Sequence, residues 1–141
     1  MAKLSAVQTD PALEAGGVWV HYTLGIRLKI ARLGNPAYQK RLTELRQPML
    51  SAIRTRTVDA AKADDVLKQC AAEELLKGWE NVTDDDDKPI EYSPERGLDV
   101  FRDPRYRDLY EFVMATAADA AIYRKELAEG ARGNSQRSSD G

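Results

Sequence analysis

Between Gly17 and Ile30 apolar and polar side chains alternate. Val18, Val20 and Tyr22 fall on one parity against Trp19 and His21. After the break Thr23-Leu24-Gly25 the alternation resumes, with Ile26, Leu28 and Ile30 set against Arg27 and Lys29. A period of two belongs to a half-buried strand, and glycine at the break supplies the positive φ of a tight turn. Residues 17–31 therefore predict a β-hairpin. Val18, Val20, Ile26, Leu28 and Ile30 form its apolar face; Trp19, His21, Arg27 and Lys29 form the other. Two strands alone are marginal in water, so helices must cover the apolar face.

The period then lengthens. Asn35-Pro36 offers an N-cap followed by proline in the first turn. Tyr38, Leu42, Leu45 and Met49 recur at helical spacing, and Pro48 ends or kinks the helix, giving a segment 36–47. A second helical pattern covers 58–78 through Val58, Ala61, Ala63, Val66, Leu67, Cys70, Ala71 and Leu75, with Thr57 or Asp59 at its start and Gly78 as C-cap. Two short extended pieces, 79–82 and 89–92, flank the acidic run Asp84–Asp87. Ser93-Pro94 and Asp103-Pro104 each open a further helix, the first running to Arg102 and the second over 104–128. The fold class that follows is α+β, an N-terminal hairpin packed on a mainly helical body. Residues 1–16 read as a flexible arm, 17–129 as one domain, and 130–141, with nothing to bury, as a disordered tail.

Size and composition narrow the classes of function. A chain of 141 residues suits one domain, and its 43% of hydrophobic residues suffices for a modest core. No apolar run is long enough to span a bilayer, and Met1-Ala-Lys-Leu-Ser leads into no signal-peptide core, so a cytosolic protein is expected. One cysteine, Cys70, forms no internal disulfide, and with His21 as the single histidine a zinc site or a Ser-His-Asp triad lacks material. Charge is unevenly placed. Residues 24–57 carry net +7 and residues 58–103 net −8, although the whole chain is at −2. Such a dipolar chain suits a binding module and favours self-association through complementary halves.

Candidate chemistries fare poorly. An EF-hand loop beginning at Asp84 would place Lys88 at its fifth position and Pro89 where the turn demands glycine, so a solvated turn is expected there. Arg27, Lys29, Arg32, Lys40, Arg41, Arg46, Arg54 and Arg56 raise nucleic-acid binding. A sequence pI near 5.5 and the absence of any RRM, KH or homeodomain pattern oppose it. No Gly-rich phosphate loop is present, the paired acids Asp64-Asp65 and Glu73-Glu74 point apart on a helix, and Cys70 lies on an apolar stripe. No enzymatic activity and no cofactor are expected.

Two blocks carry a family likeness. The first is Gly16-Gly-Val-Trp-Val-His-Tyr with Gly25-Ile-Arg-Leu-Lys-Ile-Ala-Arg-Leu-Gly-Asn-Pro-Ala-Tyr. The second is Leu76-Lys-Gly-Trp-Glu-Asn-Val, an acidic turn, Pro89-Ile-Glu-Tyr-Ser-Pro-Glu and Asp103-Pro-Arg-Tyr-Arg-Asp-Leu. Over about residues 16–125 the chain resembles the tail assembly chaperones of bacteriophages with long non-contractile tails, apart from its lengthened Asp84–Asp87 turn. The resemblance implies a non-enzymatic assembly factor of the host cytoplasm that binds the tape measure protein, recruits the major tail protein and leaves before the virion is complete. The alternatives are a virion component, such as a tail-completion or head–tail connector protein, and a small nucleic-acid-binding regulator. Aromatic and arginine side chains anchor most interfaces. The expected partner-binding surface is therefore Trp19, His21, Arg27 and Lys29, extended by Tyr38 and Arg41, unless a further helix covers Trp19.

Overall fold

The computed structural model describes residues 1–124. After a single helical turn at Leu4–Val7, the elements are α1 (Pro11–Gly16), β1 (Val18–His21), β2 (Arg27–Ile30), α2 (Pro36–Arg46), α3 (Leu50–Arg54), α4 (Ala60–Glu74), β3 (Leu76–Glu80), α5 (Pro94–Arg102) and α6 (Arg107–Ala117). The expected α+β architecture is present. The three strands form one antiparallel sheet in the order β1-β2-β3, backed by helices.

The hairpin has the register its alternation demands: Val18 faces Ile30, Trp19 faces Lys29, Val20 faces Leu28 and His21 faces Arg27. Its turn closes through the Ile26 N–H to the Thr23 carbonyl at 2.9 Å, with Leu24 at φ 54° and Gly25 at φ 80°. Positive φ at both central residues is the hairpin-compatible turn of type I′. The inner sheet face delivers Leu28, Ile30 and Leu76 to the core, where they join Leu42, Leu75, Phe101 and Val113. Cap chemistry sets the helix starts. The side chains of Asn35, Asp59 and Ser93 accept from the backbone N–H of Tyr38, Ala61 and Arg96 respectively.

Tertiary pairing alters the expected outline in three places. The helix expected over 58–78 stops at Glu74, and Leu76–Glu80 becomes a strand. Beta2 has a second edge to fill, and β3 fills it: Leu76, Gly78, Trp79 and Glu80 pair with Ile30, Lys29, Leu28 and Arg27 across a bulge. Gly78 is thus a sheet residue, not a C-cap. Along the helix expected over 104–128, a tight turn at Pro104–Tyr106 precedes α6, which ends at Ala117. A second turn at Ala120–Tyr123 follows, where Tyr123 is fully buried and its hydroxyl donates to the Ile30 carbonyl at 2.9 Å. The arm also departs from expectation. Alpha1 is capped by Asp10, the Asp10 N–H donates to the Tyr123 carbonyl at 2.8 Å, and Arg32 pairs with Glu14. Those bonds tie residues 9–17 to the body. The expected tail 130–141 and the end of the last helix lie outside the described residues.

Candidate functional site

The outer sheet face carries the residues singled out from the alternation. Trp19 lies on β1 opposite Lys29, and Gly78 occupies the next position across on β3. A Cβ on Gly78 would stand 3.5 Å from the Trp19 ring, so the missing side chain leaves a shelf on which the indole rests. The Arg27 guanidinium lies 5.2 Å from the ring centre and the Lys29 ammonium 6.0 Å, both within cation–π range. The face therefore presents a half-buried indole between two cations, with His21 exposed beside it. Arg27 is not free: its guanidinium donates to Glu80 at 2.9 Å across the sheet. The structure thus brings Trp19, His21, Arg27 and Lys29 onto one surface.

Tyr38 and Arg41 do not extend that surface. Tyr38 is 4% exposed and packs in the core, because α4 lies across the α2 stripe that holds Tyr38 and Leu42. Burial pushes its phenol above the ordinary range. A buried ring is no anchor for a partner, so its place in the expected binding surface is withdrawn. Arg41 grips Glu73 of α4 with two bonds, Nε at 2.6 Å and an Nη at 3.2 Å, and reaches Glu44 at 3.3 Å. Those hydrogen bonds raise its pKa, and they make it a clamp between α2 and α4. Reversing its charge would set a carboxylate against Glu73 and strain the fold. Through Arg27–Glu80 and Arg41–Glu73, the basic and acidic halves of the sequence also meet inside one molecule.

The acidic run forms an exposed turn. The Asp84 carboxylate accepts from the backbone N–H of Asp86 at 2.8 Å and of Lys88 at 3.0 Å, while Ile90 N–H returns to the Val82 carbonyl. Among the described residues no cluster of three or more His, Cys, Asp or Glu is arranged for a metal ion. No described helix is long and apolar enough to cross a membrane. Cys70 is fully buried and donates to the Tyr38 carbonyl at 3.5 Å.

A second surface escaped the sequence reading. Past Pro48 the chain forms α3, a five-residue helix that no pattern foretold. Leu50 and Ile53 on it stay 37% and 41% exposed. Between α3 and α4 lies an open groove of about 340 Å³, lined by Arg46, Met49, Ile53, Val58, Ala63 and Val66. The available signal was the apolar set Met49, Leu50, Ala52 and Ile53, too short for its period to be read. A smaller cavity of about 150 Å³ near Phe101 and Tyr110 is bordered by Arg102, which already binds Asp65 at 2.8 and 2.9 Å.

The sheet face and the groove are two surfaces with apolar and cationic side chains on a small α+β protein. The chain belongs to the YdaY prophage protein family, whose model matches residues 33–134, and is therefore phage-derived. The matched segment contains all six groove residues and leaves β1 and β2 outside. No curated protein and no solved structure matches the chain.

Proposed function

We propose that this prophage protein is a non-enzymatic tail assembly chaperone, which holds the tape measure protein in solution and passes it to the major tail protein. The observation that carries the reading is the outer sheet face, where the Trp19 indole lies between Arg27 and Lys29 on a surface turned away from the core. An aromatic ring with cations over its face suits an amphipathic partner whose apolar stripe is bordered by acids. Membership of a prophage family and the likeness of residues 16–125 to tail chaperones support the same reading.

The test is co-expression with the tape measure protein of the same prophage. Wild type should keep it soluble, and the double variant His21→Glu/Lys29→Glu, altered at positions outside the core, should lose most of that effect with an unchanged melt. A tape measure protein that precipitates equally with and without the wild-type chain refutes the function. Full protection by the double variant refutes the surface.

A further inference from the structure

The α3–α4 groove has an apolar lining with basic residues beside it. Its floor and walls are aliphatic: Met49 and Ile53 from one side, Val58, Ala63 and Val66 from the other. Arg46 lines the groove itself, and Arg54 and Arg56 stand in the segment between Ile53 and Val58. All three are exposed, and none has an ion-pair partner among the described residues. The acids beside the groove are engaged elsewhere: the Asp59 carboxylate accepts from the Ala61 N–H as the α4 cap, Asp64 pairs with Lys68 and Asp65 with Arg102.

Arg56 holds its place at a local cost. Alpha3 ends with the Thr57 N–H donating to the Ala52 carbonyl at 2.8 Å and the Arg56 N–H to Ile53 at 3.2 Å. That pair of bonds is a Schellman motif, whose left-handed position favours glycine. Here an arginine occupies it, at φ 56°.

We propose that this groove binds an amphipathic helix with an acidic rim, presented by another protein. The occupant follows from charge complementarity. Arg46 in the lining, with Arg54 and Arg56 exposed on the adjoining segment, favours a helix whose apolar stripe is bordered by Asp or Glu, repels a basic-rimmed one and gives a neutral-rimmed one no electrostatic gain. Among the described residues, a second copy of this chain is a poor source. Its acidic helices α4 and α5 turn their apolar stripes inward, through Cys70, Ala71 and Ala72 and through Phe101, and its acidic turn at Asp84–Asp87 is not helical. The inference does not rest on the chaperone reading, because groove and sheet face are separate surfaces.

The experiment uses two fluorescein-labelled peptides of about 15 residues, long enough for some four helical turns. Both carry leucine at i, i+3, i+4 and i+7; one is flanked by glutamates, the other by lysines. Fluorescence anisotropy with the full chain should show the glutamate peptide binding at least about tenfold more tightly than the lysine peptide, a gap that narrows with salt. Ile53→Asp, at an exposed position, should weaken the glutamate peptide about tenfold or more with an unchanged melt. Arg56→Gly should weaken it too while the melt holds or rises, which separates loss of charge from loss of fold. Equal affinity for both peptides, absence of binding, or undiminished binding to Ile53→Asp overturns the proposal. So does a dimer in sedimentation that Ile53→Asp dissolves, since the groove then belongs to a second copy.

Discussion

Replacing Gly97 with alanine in the interior of α5 should destabilise the protein, against the usual direction. In an unobstructed helix alanine is favoured over glycine by about 1 kcal/mol. At position 97 the added Cβ would stand 2.8 Å from the Tyr92 hydroxyl oxygen, 2.9 Å from its Cε2 and 3.2 Å from its Cζ. Carbon contacts relax at about 3.5–4.0 Å, so the ring has to move. It is poorly placed to do so. The Tyr92 hydroxyl donates to the Ala72 carbonyl of α4, and its ring meets Trp79 edge-on at 5.0 Å between centroids. Overpacking costs about 1–3 kcal/mol and loss of a partly buried hydrogen bond about 1–3 more, so the net destabilisation is about 1–5 kcal/mol after the helix gain. Urea denaturation followed by tryptophan fluorescence should show a lower midpoint at an unchanged slope. In a Tyr92→Ala background, where the obstruction is gone, the same Gly97→Ala change should become neutral or stabilising. A raised midpoint from Gly97→Ala in the wild-type chain would refute the steric argument.

The hairpin turn and the buried thiol give two further expectations. Leu24 is 94% exposed and held at φ 54°, a region that costs an ordinary side chain about 1–2 kcal/mol and suits asparagine better. Leu24→Asn should therefore raise the thermal midpoint, and a lowered one would contradict the type I′ reading of the turn. Burial pushes the Cys70 thiol up to about 12, with Glu74 and Glu73 adding to it. The native thiol should resist a disulfide reagent at pH 8 and react only once the chain unfolds. In the unfolded chain this thiol ionises at its ordinary value of 9.0, so its contribution to stability is complete below that pH and is lost as pH rises toward about 12. Urea midpoints across that window, with Cys70→Ala falling less steeply than wild type, are the measurement.

What the sequence determined by itself was local. Alternation placed Leu28 and Ile30 inside and Trp19 and Lys29 outside, because a strand sends neighbouring side chains to opposite faces wherever it pairs. Asn35-Pro36 and Ser93-Pro94 marked helix starts, because a capping oxygen and a fixed proline φ act within one turn. Tertiary structure decided whatever needed a distant partner. Leu76–Glu80 continues an apolar pattern that a helix could have carried; it is a strand because β2, far back in the chain, presents an open edge to it. Tyr38 and Arg41 sit one turn apart on α2. Packing of α4 made the first a core residue and, through Glu73, the second a clamp. Alpha3 and its groove were hidden for the same reason: five residues hold too few turns to show a period, and a groove exists only between two elements. Of the six residues expected at a partner surface, strand geometry sets Trp19, His21, Arg27 and Lys29 on one sheet face, whereas helix packing takes Tyr38 into the core and Arg41 into an ion pair with Glu73.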